Sequence, residues 1–110
     1  MRIVGLKEFR SLPVGTVFLI FVPGGAEELR VLEKIWEVDF ISTNIIYNLV
    51  GEDDDTLNRM EADSSLSISV DFYSAERDGC FDDDQLFAVY DKRDIEGLIN
   101  RLTKSLEAYK

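Results

Sequence analysis

Residues 16–22 form the run Thr16-Val17-Phe18-Leu19-Ile20-Phe21-Val22, which is β-branched, aliphatic or aromatic throughout and has no polar alternation after Thr16. A short run of this composition is typical of a strand that is covered on both faces, so we place it at the centre of a sheet. Pro23-Gly24-Gly25 follows and predicts a turn that ends the strand. The other elements are interpreted as arranged around this strand.

Further strands are predicted on both sides of the central strand in the sequence. Residues 29–36 and 40–49 are rich in Val, Ile, Trp and Phe, which favours a three-stranded meander over a helix. Residues 66–73 alternate between apolar and polar side chains, which predicts a half-buried antiparallel strand. Asp78-Gly79 predicts a turn, and residues 85–90 predict a last strand that pairs with residues 66–73.

Two short helices are predicted, one near the start of the chain and one in its middle. Leu6, Phe9 and Leu12 recur at helical spacing, and Pro13 stops the pattern, which predicts a helix over residues 6–11. Residues 51–65 are interpreted as a turn followed by a short helix, with Thr56 as the candidate N-cap.

A long helix is predicted at the end of the chain. Asp91 and Asp94 have the spacing of a capping box. One apolar stripe follows at helical spacing and consists of Ile95, Leu98, Ile99, Leu102 and Leu106. We therefore predict a single α+β domain over residues 1–110, with an antiparallel sheet of about five strands. A short N-terminal helix and a long C-terminal amphipathic helix are expected to pack on one face.

The negative charge of the chain is concentrated between Gly51 and Asp91. That segment has thirteen acids and two bases, residues 1–50 have six acids and five bases, and residues 92–110 have three acids and five bases. The net charge of −10 disfavours direct binding to nucleic acid or to an anionic membrane, because phosphate neutralisation requires Lys and Arg. It favours a protein partner with a basic surface.

Most common catalytic chemistry is missing from the sequence. There is no histidine and a single cysteine, Cys80, which removes the commonest general base and any zinc site of Cys/His type within one chain. Gly24-Gly25 lacks the pattern of a phosphate-binding loop. The aspartate runs at residues 53–55 and 82–84 lack the ligand spacing of a calcium loop. We predict no enzyme, no cofactor, no metal and no catalytic residue.

The start of the chain turns polar too early for a signal peptide, and one cysteine excludes an internal disulfide. The longest apolar run is only strand-sized, so no membrane span is expected. We therefore expect the protein in the cytosol.

Acidic residues on or beside the last two predicted strands are the candidate partner-binding set. Regularly spaced carboxylates on a rigid scaffold imitate a phosphate backbone and steer a basic protein toward them. The alternative is that they only keep a small domain soluble. The set consists of Asp71, Glu76, Asp78, Asp82, Asp83 and Asp84.

Two segments of the chain resemble a group of small uncharacterised phage and prophage proteins. The first is Leu12-Pro13-Val14-Gly15-Thr16-Val17-Phe18, which follows Leu6-Lys7-Glu8-Phe9. The second is Arg77-Asp78-Gly79-Cys80-Phe81-Asp82-Asp83-Asp84-Gln85-Leu86-Phe87-Ala88-Val89-Tyr90, together with the helix start Asp94-Ile95-Glu96-Gly97-Leu98-Ile99. The resemblance implies a phage origin, and it supplies no activity and no catalytic residue.

These observations predict a small acidic phage-type binding protein that docks on a host protein in the host cytosol. Its acidic face would inhibit a bacterial defence or nucleic-acid-processing system. The alternative is an oligomer that binds or sequesters a nucleotide or another metabolite. Its candidate residues are Trp36, Tyr47, Arg30 and Arg10. A homodimer through residues 16–22, or through the face with Trp36 and Phe40, also stays open.

Overall fold

A computed structural model describes residues 1–22, 24–26, 28–46, 53–80 and 82–109. The elements of this part of the chain, in order, are β1 (Arg2–Gly5), α1 (Leu6–Phe9), β2 (Val17–Val22), β3 (Gly25–Ala26), β4 (Arg30–Ile35), β5 (Asp39–Asn44), α2 (Asp54–Ala62), β6 (Ser74–Gly79), β7 (Leu86–Val89) and α3 (Lys92–Leu106). All described strand pairs are antiparallel, and six strands follow the order β1-β7-β2-β4-β5-β6, with β3 paired to β2.

The fold class and the central position of the strand are confirmed, but the strand is not fully covered on both faces, because Phe18 is buried and its other residues are only partly buried. β2 lies between β7 and β4, with Phe18 opposite Val89 on one side and Arg30 on the other. The predicted strands over residues 29–36 and 85–90 correspond to β4 and β7. β5 ends at Asn44, and Tyr47, Asn48 and Leu49 of the predicted strand lie outside the described residues. The chain is an α+β protein with an antiparallel sheet, a short N-terminal helix and a longer C-terminal helix.

Four buried phenylalanines form the centre of the hydrophobic core. Phe9 of α1 stacks on Phe87 with the ring centroids 3.8 Å apart, and it contacts Phe18 and Phe40 edge to face. Gly15, with a positive φ of 96°, lies in the turn between α1 and β2, a conformation that favours glycine. Its N–H donates to the Leu32 carbonyl oxygen at 2.8 Å, so the turn is tied to β4. α1 therefore covers the aromatic face of the sheet.

The same face becomes polar toward the β6 edge. The register places Arg30 opposite Asn44, Ser42 opposite Glu76, and Phe40 opposite Asp78. Because side chains that are directly opposite in a ladder share a face, these polar groups continue the surface that carries Phe18 and Phe87. Arg30, Ser42 and Asn44 are all buried.

The strand predicted over residues 66–73 is wrong. These residues lie outside any strand, and Leu66, Val70 and Phe72 are largely exposed. The next segment, β6, pairs with β5 instead and forms the sheet edge. Its charged side chains find partners there, because Glu76 and Asp78 bind Arg30 while Arg77 binds Asp39. These ion pairs stabilise β6 as the edge strand. They cannot be predicted from the alternation of apolar and polar residues along the sequence.

The predicted turn at Asp78-Gly79 and the predicted pairing of the last two strands are also wrong. Asp78 and Gly79 are the last residues of β6. The chain turns at residues 82–85, where the Gln85 N–H donates to the Asp82 carbonyl oxygen at 3.1 Å. β6 pairs with β5 whereas β7 pairs with β1 and β2, so the two strands are not neighbours in the sheet.

The caps of the two longer helices are formed by aspartates. The carboxylate of Asp53 accepts the Thr56 N–H at 2.7 Å, so Asp53 is the N-cap of α2 and the prediction for Thr56 is wrong. The capping box of α3 is confirmed, because Asp91 and Asp94 each accept the backbone N–H of the other, at 2.9 and 3.1 Å. In the described parts of the chain, no helix has the length and apolar character needed to cross a membrane.

Candidate partner-binding site

The six acidic residues singled out in the sequence do not form one surface. Asp71 precedes β6, whereas Asp82 follows it. β6 has six residues, and at about 3.3 Å per residue it separates the two aspartates by roughly 20 Å. The Asp71 carboxylate accepts the Tyr73 N–H at 2.8 Å and so forms a local turn.

Glu76 and Asp78 are counter-ions of a buried arginine. The Nη2 of Arg30 lies 3.0 Å from Oε2 of Glu76, and Nη1 lies 2.7 Å from Oδ2 of Asp78. The Arg30 side chain is only 5% exposed, whereas those of Glu76 and Asp78 are 42% and 32% exposed. Asn44 also donates to Glu76 at 3.3 Å. A buried guanidinium requires such partners, so these two acids serve the fold.

The remaining members, Asp82, Asp83 and Asp84, form an exposed turn that is fixed to the sheet. The Asp84 N–H donates to Oδ1 of Asp82 at 2.9 Å. The Gln85 side chain donates to the carbonyl oxygens of Phe21 at 3.0 Å and of Leu86 at 2.9 Å. The turn therefore presents the side chains of Asp83 and Asp84 to solvent from a defined position at the end of β2.

An open pocket of about 400 Å³ lies beside this turn. Its apolar part is formed by Phe21, Val22 and Leu86, and Asp82, Asp84 and Gln85 complete the lining. An apolar floor with carboxylates around it suits a lysine or arginine side chain, because the stem of such a residue is apolar and its end is cationic. We call these six residues the acidic pocket.

The sequence identified the aspartates of the acidic pocket but not its apolar floor. Phe21 and Leu86 are far apart in the chain and meet only because β2 and β7 pair with these two residues in register. Leu86 is two residues after the aspartate run, and this is the one local signal that points to it. Nothing in the run from Thr16 to Val22 identifies its last two residues, which are partly buried, as the lining of a pocket.

The acids around α2 add negative charge without being part of this pocket. Asp53, Asp54 and Asp55 lie at the start of the helix and are exposed. The hydrogen bond from the Thr56 N–H lowers the pKa of Asp53, and the hydroxyl of Ser65 lowers the pKa of Asp63. Both carboxylates are therefore charged at neutral pH and contribute to the negative potential of the chain.

The residues proposed for a small ligand have separate surroundings. Trp36 packs under the cationic ends of Lys34, at 4.6 Å, and Arg77, at 5.2 Å. Arg10 donates to the Cys80 carbonyl oxygen at 3.5 Å, and Arg30 is bound to its two acids. Tyr47 lies outside the described residues. Among the described contacts of these side chains, Trp36, Arg10 and Arg30 have no partner in common.

A second surface depression lies next to α3. This groove of about 370 Å³ is lined by apolar side chains, namely Leu29, Ile45, Ile46, Phe72, Leu98 and Leu102. Leu29 directly precedes Arg30 of β4, Ile45 directly follows Asn44 of β5, and the Ile45 N–H donates to the Leu29 carbonyl oxygen at 3.1 Å. By the alternation of extended chains, both side chains point away from the aromatic core. A nucleotide site needs several placed polar groups, which this lining does not offer.

Within the described ranges, no group of three or more acidic, cysteine or histidine side chains is placed to hold a metal ion. Comparisons with protein families, with curated proteins and with solved structures find no match for this chain.

Proposed function

We propose that the protein is a small acidic binding protein of phage type that docks on a basic surface of a host protein in the host cytosol. Docking would inhibit a bacterial defence or nucleic-acid-processing system. The observation that carries the proposal is the acidic pocket, in which a fixed turn of aspartates lies beside an open apolar floor.

The acidic pocket supplies both parts of a recognition site for a basic side chain. Phe21, Val22 and Leu86 offer apolar surface to the stem of a lysine or arginine, while Asp82 and Asp84 offer oxygens to its cationic end. Charge-assisted hydrogen bonds of this kind are stronger than neutral ones. The net charge of −10 speeds the encounter with a basic partner from a distance.

Solubility alone needs only dispersed charge. It requires neither a turn that is hydrogen-bonded to a neighbouring strand nor exposed apolar residues beside that turn. The combination found between residues 82 and 86 is therefore better explained by binding. Inhibition follows from the same chemistry, because carboxylates that occupy a basic groove exclude the phosphates that the groove normally binds.

The proposal is tested by capture from bacterial lysate with two matched variants. The double substitution Asp83→Asn with Asp84→Asn removes one charge of the acidic pocket, at Asp84, and one beside it, at Asp83, and leaves the backbone hydrogen bonds of the turn in place. The double substitution Asp54→Asn with Asp55→Asn removes the same charge from the exposed start of α2.

The wild type and the α2 variant are expected to capture the same basic protein, and the pocket variant is expected to lose it. Salt at about 0.5 M should release it, because the Debye length is then only about 4 Å. Double-stranded DNA should compete if the captured protein binds nucleic acid. Equal capture by all three proteins, or capture that resists salt, would overturn the proposal.

A further inference from the structure

The apolar stripe of α3 is exposed along most of its length. Ile99, Leu102 and Leu106 are 57%, 59% and 68% exposed, although they lie on one side of the helix. Only the Leu98 and Leu102 side chains reach the apolar groove. An exposed stripe of large aliphatic residues at helical spacing is unusual on an isolated domain and marks a surface that another chain covers.

The spacing of the stripe is that of a helix–helix seam. Ile95, Ile99, Leu102 and Leu106 are separated by four, three and four residues, which is the alternation of a heptad pattern. At 100° per residue, the seam is flanked along its middle by Thr103 and Ser105, which carry no charge. Of the charged residues from Arg93 to Glu107, Glu96 lies beside the seam, next to Ile99, and the others point away from it.

The exposed apolar area is large enough for a stable interface. Ile46, Phe72, Ile99, Leu102, Leu106 and Tyr109 are each more than half exposed. At on the order of 100 Å² or more for each side chain, they offer roughly 700 Å², close to the about 800 Å² that one partner buries in a standard interface.

The exposed area and the self-complementary spacing of the seam favour a second copy of the chain as the occupant, and the charge distribution permits it. Residues 92–110 have five bases and three acids, whereas the whole chain has a net charge of −10. Two copies that meet along α3 therefore bring net charges of only +2 together, so they repel each other less there than between their acidic surfaces. A seam of aliphatic side chains, with Glu96 as the one charged residue beside it between Arg93 and Glu107, is also complementary to itself, as a twofold interface requires.

We propose that α3 and the apolar groove form the interface of a homodimer. The seam of one copy packs against the seam and groove of the other, so that Ile99 and Leu106 become buried. This surface contains neither the aspartates nor the apolar floor of the acidic pocket. The dimer can therefore fail as a proposal without affecting the proposed function.

The test is the molar mass of the full chain by light scattering during size exclusion, at about 100 µM, well above a micromolar Kd. The wild type is expected at twice the chain mass of 12.6 kDa. Ile99→Glu is expected at the monomer mass, because it places a charge in the seam. Asn100→Glu adds the same charge one residue further on, away from the seam, and is expected to remain a dimer.

Both substituted residues are exposed, so the monomer fold should tolerate them, and circular dichroism of each variant checks this. Leu106→Glu, in the last turn of α3, repeats the test in case Ile99→Glu disturbs the helix. A wild type that is monomeric at this concentration would overturn the proposal and leave the surface to a helix of another protein. A dimer that survives both glutamate substitutions in the seam would overturn it as well.

Discussion

The guanidinium of Arg30 in β4 lies 2.7 Å from the carboxylate of Asp78 in β6, although β5 separates these two strands. The arginine side chain therefore crosses the face of β5 and ties the edge strand to the middle of the sheet. Because Arg30 is buried and its acids are half-buried, the interaction is screened less than a surface pair. It adds to the ladder between β5 and β6 and to the Arg77–Asp39 ion pair in holding β6 to the fold.

Removing both acids should destabilise the protein. In the double variant Glu76→Gln with Asp78→Asn, the buried guanidinium keeps its charge but loses both carboxylates. Breaking a fully buried pair costs about 3–5 kcal/mol, and partial exposure of the acids reduces this, so we expect a loss of about 2–3 kcal/mol in the free energy of unfolding. Equilibrium unfolding in urea measures the difference.

The matched control is Asp83→Asn with Asp84→Asn, which removes the same charge from an exposed turn. It should change the free energy of unfolding by no more than about 0.5 kcal/mol. If the two double variants are equally stable, the ion pairs of Arg30 do not support the fold as described.

Phe9 should be the residue on which the docking of α1 depends. The helix has four residues, and its fully buried phenylalanine stacks on Phe87 while touching Phe18 and Phe40. Phe9→Ala is expected to lower the free energy of unfolding by about 3–5 kcal/mol through lost burial and the cavity left behind. Val14→Ala, at an exposed position in the following turn, should have little effect. A stable Phe9→Ala variant would contradict this description of the core.

The N-cap of α2 should depend on pH. The Thr56 N–H lowers the pKa of Asp53 in the folded protein, so the contribution to stability is present above the ordinary pKa of aspartate, about 4. It is lost as the pH falls through the lowered value of the folded state. Asp53→Asn keeps a capping oxygen that does not titrate, and Asp53→Ala removes the cap.

We therefore expect the Asp53→Ala variant to show less helical circular dichroism than the wild type at pH 6. The difference between the two should shrink as the pH falls toward about 2, because the protonated carboxyl group keeps only a neutral capping oxygen, whereas Asp53→Asn should show no such titration at this site. A difference between wild type and Asp53→Ala that is constant with pH would rule out the charged cap.

Cys80 should be protected in the folded protein. It is buried in the aromatic core cluster, and its N–H donates to the Val38 carbonyl oxygen at 2.8 Å. A thiol reagent should modify it slowly in the native state and at once in urea. The Glu76→Gln with Asp78→Asn variant should react faster than the wild type, because Cys80 directly follows β6. Rapid stoichiometric labelling of the native wild type would show that the β6 end is not packed as described.

The elements that could be predicted are those whose signal is local. The continuous apolar run of β2 and the paired aspartates of the α3 cap depend on neighbouring residues alone. The segment from Leu66 to Phe72 has clear alternation but no partner strand, whereas Ser74–Gly79 has a charged sequence and forms the edge. The ion pairs of Ser74–Gly79 with Arg30 and Asp39 outweigh the local strand propensity of this segment. These partners cannot be identified from the sequence until the register of the strands is known.

The same distinction applies to the candidate site. The aspartates of the acidic pocket are evident from composition, but Glu76 and Asp78 look equivalent to them in the sequence. Their role as the partners of Arg30 depends on the sheet order, which places β6 two strands away from β4. The floor of the pocket needs the pairing of Phe21 with Leu86, and the exposure of the α3 stripe follows from tertiary packing. Amphipathicity predicts that a face is covered, without specifying by which chain.

The most direct test of the acidic pocket is the association rate constant with the captured host protein, measured by surface plasmon resonance at several salt concentrations. For the wild type, it should fall at least about tenfold between roughly 50 mM and 0.5 M salt. The Asp83→Asn with Asp84→Asn variant should associate more slowly at low salt and respond less to salt, and the α2 variant should stay close to the wild type. Equal rate constants and equal salt dependence for all three proteins would contradict the account.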